Sequence, residues 1–576
     1  MSRSSSCSSS RSPRFLSPSP LVFAPEPSEP VSTPSNFIPS LPFPPGTDLG
    51  PLSSVAFTAE HGSSMAESPI TEEEAKGYYI GLFSCPKLVA RSNTEDEPWS
   101  ARHDGWTVHK TIDPIGNHAI VPLWNDANSD LRAGIIATLR DINWTAIDIL
   151  QLGYSRRLHT MNEPDDMFPK LLISVQPEST SWESGFTVTL QCRQVLREHG
   201  INDVEVEMME AWVSKCNSPK LTSHPITDDI QETAQLSEFL GTCIASEARP
   251  RCEGTKGFYV RLKDTDKLLA VTCRHVLIDG HPNVDYRHYY NTPNMVVQPG
   301  QRTYEATVIR LSYYIEQLEK RIDKLTPDEM EELSTLQDLK ASYDQINDLK
   351  SRIIGHVLFS PKYSLGISEM NANRLRDWAL VELHPDRHET VFSEIKNRVV
   401  AGPRANRQLN DVLLNELSAE HRTHLEDQLL VDHHTNTYEL TRTVQESEMR
   451  RSFQAARSLE DEPAMVVAKF GRTTGLTFGI ANEVKSVIRT IMPGEEIISE
   501  EWCIVGHKKR GQRRDVFSAD GDSGSCILDV HGRVAGLLTS GKEAGNGSTD
   551  KDITYATPIE WLLKDIRSYG FNVTLA

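Results

Sequence analysis

The sequence predicts a β-rich domain over 238–576 carrying helical insertions, an α/β domain over 71–235, and a disordered tail over 1–69. Three observations lead there. Short apolar or alternating runs dominate from about residue 238 onward. A strand–helix–strand order recurs between 71 and 235. The first 69 residues are rich in Ser and Pro and lack periodic apolar pattern, so they cannot bury enough surface to offset backbone entropy.

Taken in order, Thr71-Glu72-Glu73-Glu74 reads as a capping box that opens a helix or turn. Over 130–150, Leu131, Ile135, Ile136 and Leu139 have helical spacing, and a second apolar group follows at Trp144, Ile147, Ile149 and Leu150. Leu171 to Val175 reads as a short buried strand. Trp182 to His199 reads as a helix with Gly200 as its stop, and Val204 to Met208 alternates as a strand. Further on, Lys256 to Leu262 and Lys267 to Thr272 form a hairpin around residues 263–266. The β pattern continues at 464–480, 483–491, 503–505 and 534–538. Pro558 stands as the first residue of a closing helix through Ile559, Leu562, Leu563 and Ile566. Two stretches break the pattern. Residues 311–353 read as a helical hairpin, with Thr326-Pro327-Asp328-Glu329 starting its second arm. Residues 384–462 read as charged and helical or irregular. The plain role for the hairpin is packing or spacing; the functional one is a gating or partner-binding arm.

Length and charge narrow the function. The 576 residues need two or three cores. A formal charge of −20 argues against a nucleic-acid groove as the main business. No run of 18 apolar residues exists to span a membrane, and no apolar segment follows the N-terminal serines as a secretory signal requires. An acid-free, Ser/Arg-rich start resembles a mitochondrial transit peptide, but Pro13, Pro18 and Pro20 break the helix one needs. The nine cysteines are odd in number and lack C-x-x-C pairs, so reduced thiols in a cytoplasmic or nuclear protein are expected.

Three short segments carry chemistry. Asp520-Gly521-Asp522-Ser523-Gly524 offers a serine on a glycine-flanked turn. Thr272-Cys273-Arg274-His275 ends an apolar strand with a histidine. Arg376-Asp377-Trp378-Ala379-Leu380-Val381 sets an aspartate at the mouth of another strand. A serine hydroxyl is a weak nucleophile unless a base removes its proton during attack. His275 is the candidate base, and Asp377 the group that orients the imidazole and stabilises its cation. The N–H groups of Gly521 and Ser523 are candidates to hold a developing oxyanion, since a residue without Cβ permits the required turn. Asp522 is assigned a structural role.

These motifs, in the order His, Asp, Ser, resemble the chymotrypsin-like serine peptidases. Leu538-Thr539-Ser540-Gly541 and Gly471-Arg472-Thr473-Thr474-Gly475 are similar to the bacterial streptogrisin branch. The resemblance covers about 340 residues, patchily, and implies an all-β double β-barrel with the site in the crevice between barrels. It further implies that Thr539, Ser540 and Gly541 pair with an extended protein or peptide substrate, and that Phe517 lies near the base of a specificity pocket. No cofactor or metal is implied. The layout is also similar to fungal intracellular regulatory proteases, which work with an N-terminal inhibitory part. Cys273 departs from the family pattern, which has Ala after that Thr, and so does Ser525-Cys526, where Gly-Pro is usual. The 102 residues between His275 and Asp377 are a long gap, much of it the helical hairpin.

Other motifs are weaker. His384 and His388 have H-x-x-x-H spacing, but Pro385 opposes the helix that would align them. His281, His288, His356 and the Asp432-His433-His434 run lack metal-ligand spacing. The competing function is a latent or inactive protease-fold scaffold that binds a protein partner, motivated by the long insertions.

Overall fold

The computed structural model describes residues 70–576 apart from 95, 101, 104–105, 108, 127, 155–165, 216–234, 264, 266, 279, 281, 289–291, 368–372, 401–430, 433–436, 451–464, 508–513 and 544–547. The expected tail over 1–69 lies outside the described residues. The chain is mostly β-sheet with few helices.

In the first α/β part, local signals act as read. Thr71 Oγ1 accepts from the Glu74 N–H, and helix Glu72–Gly77 follows. Helix Trp182–Glu198 starts at Ser181, whose side chain accepts from the Ser184 N–H, and Gly200 closes it at φ +79°. That helix connects strands Asp166–Val175 and Glu205–Glu210, which pair in parallel. One expectation needs correcting. The apolar group at 144–150 begins strand Trp144–Tyr154, because almost every residue there is buried on both faces, while the helix before it ends at Thr138.

The sheet does not stop at the expected boundary near 235. Strand Trp144–Tyr154 pairs with Ser486–Met492, so residues from both predicted domains share one fourteen-stranded sheet among the described residues. Asp148 fixes that junction. It is fully buried, and its carboxylate accepts from the Ser486 hydroxyl at 2.5 Å and the Tyr555 hydroxyl at 3.1 Å. It also pairs with Lys542 Nζ at 2.9 Å.

Six strands of this sheet close on themselves. Met465–Gly471, Gly475–Ala481, Glu495–Gly506, Ile553–Pro558, Arg533–Glu543 and Cys526–Asp529 pair antiparallel around a ring. Inside it, Phe517, Ile504, Ile527, Leu538 and Ala556 pack together. A second sheet of nine strands contains the hairpin Phe258–Leu262 and Lys267–Thr272, with Ala379–Leu383 and Ile353–Ser360 beyond it. Its pairings run as an open path rather than a closed ring.

The helical insertion is present as Gln301–Glu319 and Pro327–Gln345, the first arm starting ten residues before residue 311. Thr326 and Glu329 form the complete capping box. Over 384–462, much of the segment lies outside the described residues. The described parts form short strands (Arg398–Val400, Thr437–Glu439, Arg442–Thr443) and single 3-10 turns, Pro385–Arg387 and Glu448–Arg450, rather than α-helix. Pro558 is the N-cap of the closing helix Ile559–Ser568, one place earlier than read.

Because Lys542 is also buried, removing Asp148 strands a cation at the junction. Asp148→Ala is expected to lower stability by about 3–5 kcal/mol. The loss should appear as one shifted transition, common to probes in both halves of the sheet, when urea unfolding is followed by fluorescence and hydrogen exchange.

Candidate active site

Strand register brings His275 and Asp377 together. Thr272 pairs with Ala379 in antiparallel order, so the residues after Thr272 and before Ala379 leave the sheet at the same end. His275 sits in the single helical turn Arg274–Leu277. Its Nδ1 lies 2.7 Å from Asp377 Oδ2, and its backbone N–H donates to Asp377 Oδ1 at 3.1 Å. Both side chains are buried. The neighbours of Asp377 are fastened by the closing helix. Asp565 accepts from Arg376 Nε at 3.0 Å and from Trp378 Nε1 at 2.9 Å.

Ser523 comes from the ring. Its hydroxyl donates to the Thr539 carbonyl at 2.9 Å, and its own carbonyl accepts from the Thr255 N–H of the other sheet at 2.8 Å. Gly521 has φ +98°, and a Cβ there would stand 2.5 Å from Thr473 Oγ1, so both the turn and the space call for glycine. Asp522 is fully buried and held from several sides. Its Oδ1 accepts from the Thr473 N–H at 2.8 Å. Its Oδ2 accepts from Thr474 Oγ1 at 2.7 Å and the Ala519 N–H at 3.1 Å, and Lys469 Nζ stands 3.1 Å away. The Gly471–Gly475 segment therefore clamps the serine loop. The structural role read for Asp522 has a definite partner set, of which Lys469 had no signal in the sequence.

Thr539 and Ser540 line a chamber of about 440 Å³ together with His275 and Asp377. Gly541, Phe517 and Ser523 are not among its walls. Phe517 is buried in the ring's apolar core instead. The edge of strand Arg533–Glu543 is already paired. Ser540, Gly541, Lys542 and Glu543 lie opposite Lys215, Ser214, Val213 and Trp212 in antiparallel register. Nothing local in either segment announces this pairing.

Cys273 stands beside the pair. Its sulfur and donor atoms of His275 and Asp377 all lie within 4.8 Å of one another. Those are donor types that zinc accepts, yet His275 and Asp377 are already bonded to each other, and the Cys273 thiol donates to the Leu538 carbonyl. The seven described cysteines are unbridged. Far along the sequence from one another, His288, His356 and His384 form a cluster, with His356 Nδ1 3.1 Å from His384 Nε2. His281 and His433-His434 lie outside the described residues. No helix among the described residues is long and apolar enough to cross a membrane.

No protein-family model matches the chain, and no curated protein matches it. Among solved structures, a chymotrypsin of Cellulomonas bogoriensis is similar at 11% identity and a TM-score of 0.24. The match covers 59% of this chain and 98% of that one.

Glu501, on strand Glu495–Gly506, also lines the chamber. It is 4% exposed, and burial lifts its carboxyl from 4.5 to about 7. Between pH 4.5 and 7 the folded chain keeps a proton that the unfolded chain has lost, so this group's contribution falls as pH rises through that window. Glu501→Gln removes the ionisable group while its amide oxygen can still accept from the Leu375 N–H. Relative to wild type, the variant should gain on the order of 3 kcal/mol between pH 4.5 and pH 8. Urea midpoints at the two pH values read the difference directly.

Proposed function

We propose that the chain is a serine endopeptidase of the chymotrypsin-like double-barrel type, acting in limited proteolysis and held latent by its own N-terminal part. The observation that carries this is the buried His275–Asp377 pair at 2.7 Å, with Ser523, on a glycine turn braced by a buried carboxylate, tied to the same nine-stranded sheet through the Thr255 N–H. The closed six-stranded ring, with a second β-sheet supplying His275 and Asp377, supports the fold.

In this reading Ser523 Oγ attacks the substrate carbonyl and its proton passes to His275 Nε2. Asp377 holds Nδ1–H and stabilises the imidazolium. The negative charge on the tetrahedral oxygen is met by the N–H groups of Gly521 and Ser523. Collapse breaks the C–N bond, the imidazolium protonates the departing amine, and water then repeats the sequence on the acyl-enzyme. Clamping of Asp522 keeps the oxyanion loop shaped before substrate arrives.

The latency rests on one pairing. An extended substrate would add a strand along Ser540–Glu543, and residues Trp212–Lys215 occupy that edge. The strand covers the place where main-chain hydrogen bonds would give a substrate its affinity.

A fluorophosphonate should add once to the wild-type chain, slowly, and not at all to Ser523→Ala, as read by intact mass. A doubly substituted chain, Val213→Pro with Ser214→Pro, removes ladder donors whichever of the two alternating residues carries them. Labelling of that chain should be faster by about tenfold or more, since each lost hydrogen bond weakens the pairing by about 0.5–1.5 kcal/mol. A folded double variant that still takes no label would favour the protease-fold scaffold over the enzyme.

A further inference from the structure

The chamber beside His275 has walls that the protein itself leaves unsatisfied. Glu501 Oε1 accepts from the Leu375 N–H at 3.3 Å, but Oε2 has no hydrogen-bond partner among the described residues. Ser499 stands close enough to favour the charged carboxyl, though no hydrogen bond of ordinary geometry joins them. Arg249, from the side of the nine-stranded sheet, contributes a buried Nη2 to the same chamber, also without a hydrogen-bond partner. No ion pair links Glu501 to Arg249. Arg489, a third charged wall, is answered by Glu496 at 2.9 Å. Arg374 is near enough for its charge to favour the ionised Glu501, yet it is paired with Glu446 and makes no hydrogen bond to Oε2, so a buried carboxylate oxygen and a covered guanidinium nitrogen of the half-buried Arg249 remain for a visiting group to meet.

The built-in strand does not meet them. Val213 and Trp212 are its residues along the chamber, and neither carries a positive charge to set against a carboxylate. The register says where a substrate's side chains would fall. Lys215 lies opposite Ser540, the neighbour of Thr539, whose carbonyl holds the Ser523 hydroxyl. Counting back from a scissile bond after that place, Val213 and Trp212 hold the third and fourth positions.

We propose that Glu501 is a specificity-determining residue. The chamber takes peptides with Lys or Arg at the third or fourth residue before the scissile bond, the cationic side chain on Glu501 and a peptide carbonyl accepting from Arg249. This rests on the endopeptidase reading. The proton that burial leaves on Glu501 near neutral pH departs when a cation docks, so the preference strengthens toward pH 8. Substrate choice then follows from what the inhibitory strand lacks.

The test uses the full-length chain carrying Val213→Pro and Ser214→Pro, with and without Glu501→Gln. Fluorogenic peptides of one sequence carry Lys, norleucine or Glu at the third or the fourth position, and kcat/KM is measured at pH 8 beside fluorophosphonate labelling. With Glu501 present, Lys should exceed norleucine by about tenfold to a hundredfold at one of the positions, the scale of a hydrogen bond to a charged group. With Gln the two should agree to within about twofold, while labelling is retained. Equal cleavage of Lys and norleucine peptides by a labelled, folded chain overturns the assignment, as does a Lys preference that survives in Glu501→Gln. Absence of labelling from every chain overturns the endopeptidase reading and this inference with it.

Discussion

The exposed edge of strand Arg533–Glu543 is the constraint on which the rest turns. A strand that leaves a closed ring presents unpaired N–H and C=O groups, and such an edge pairs with whatever extended chain is available. Here Trp212–Lys215 takes it. The choice determines how the N-terminal α/β part docks, what covers the chamber beside His275, and why Lys542 is buried against Asp148 rather than solvated. One pairing thus links architecture, electrostatics and access to the site.

Beneath that edge the polar groups are arranged so that few have freedom left. Thr255 joins the two sheets at the serine loop, its N–H bonding Ser523 and its hydroxyl bonding Gly521. Arg472 reaches across to the buried Glu253 at 2.5 Å, and Asp522 is ringed by Thr473, Thr474 and Lys469. Losing Lys469 or Glu253 would leave a buried charge without its counter-ion, a larger penalty than the pair's own net worth. Rigidity of this kind is what an oxyanion site needs, because donors fixed beforehand need not reorganise during reaction.

The sequence was legible where the signal is local. The N-cap at Thr71 (without the box, since the Glu74 carboxylate binds Arg91), the capping box at Thr326, the stop at Gly200 and the hairpin before His275 depend on residues within a few positions of one another. Their structure follows the reading. The stretch 144–150 was ambiguous because a strand buried on both faces loses the alternation that would mark it. His275, Asp377 and Ser523 were singled out by short motifs, and the 2.7 Å contact between the first two is a product of strand register across 102 residues. Glu501 and the strand at 212–215 had no motif at all. They matter because of long-range pairing, as do the three clustered histidines, which no spacing rule could have gathered. Phe517 belongs to the same long-range class. Counting back from the serine placed it at a pocket, while its apolar side chain found the ring's core.

Under the proposed reading, latency does not depend on the chain that joins the two parts. A segment tied to its site is present at an effective concentration in the millimolar range for a short tether, and cutting the tether would ordinarily release it. Trp212–Lys215, however, belongs to a body that is also held through the pairing of Ile147 with Val487 and through the buried Asp148 network. Severing the chain beyond Lys215 would leave those contacts in place, and the strand would go on filling the edge as a bound product does. Opening the site therefore requires work against the sheet junction or a competing strand with better side chains. The first route acts at Asp148, the second in the chamber lined by Glu501, and in both the energy at stake comes from buried charges rather than from the covalent chain.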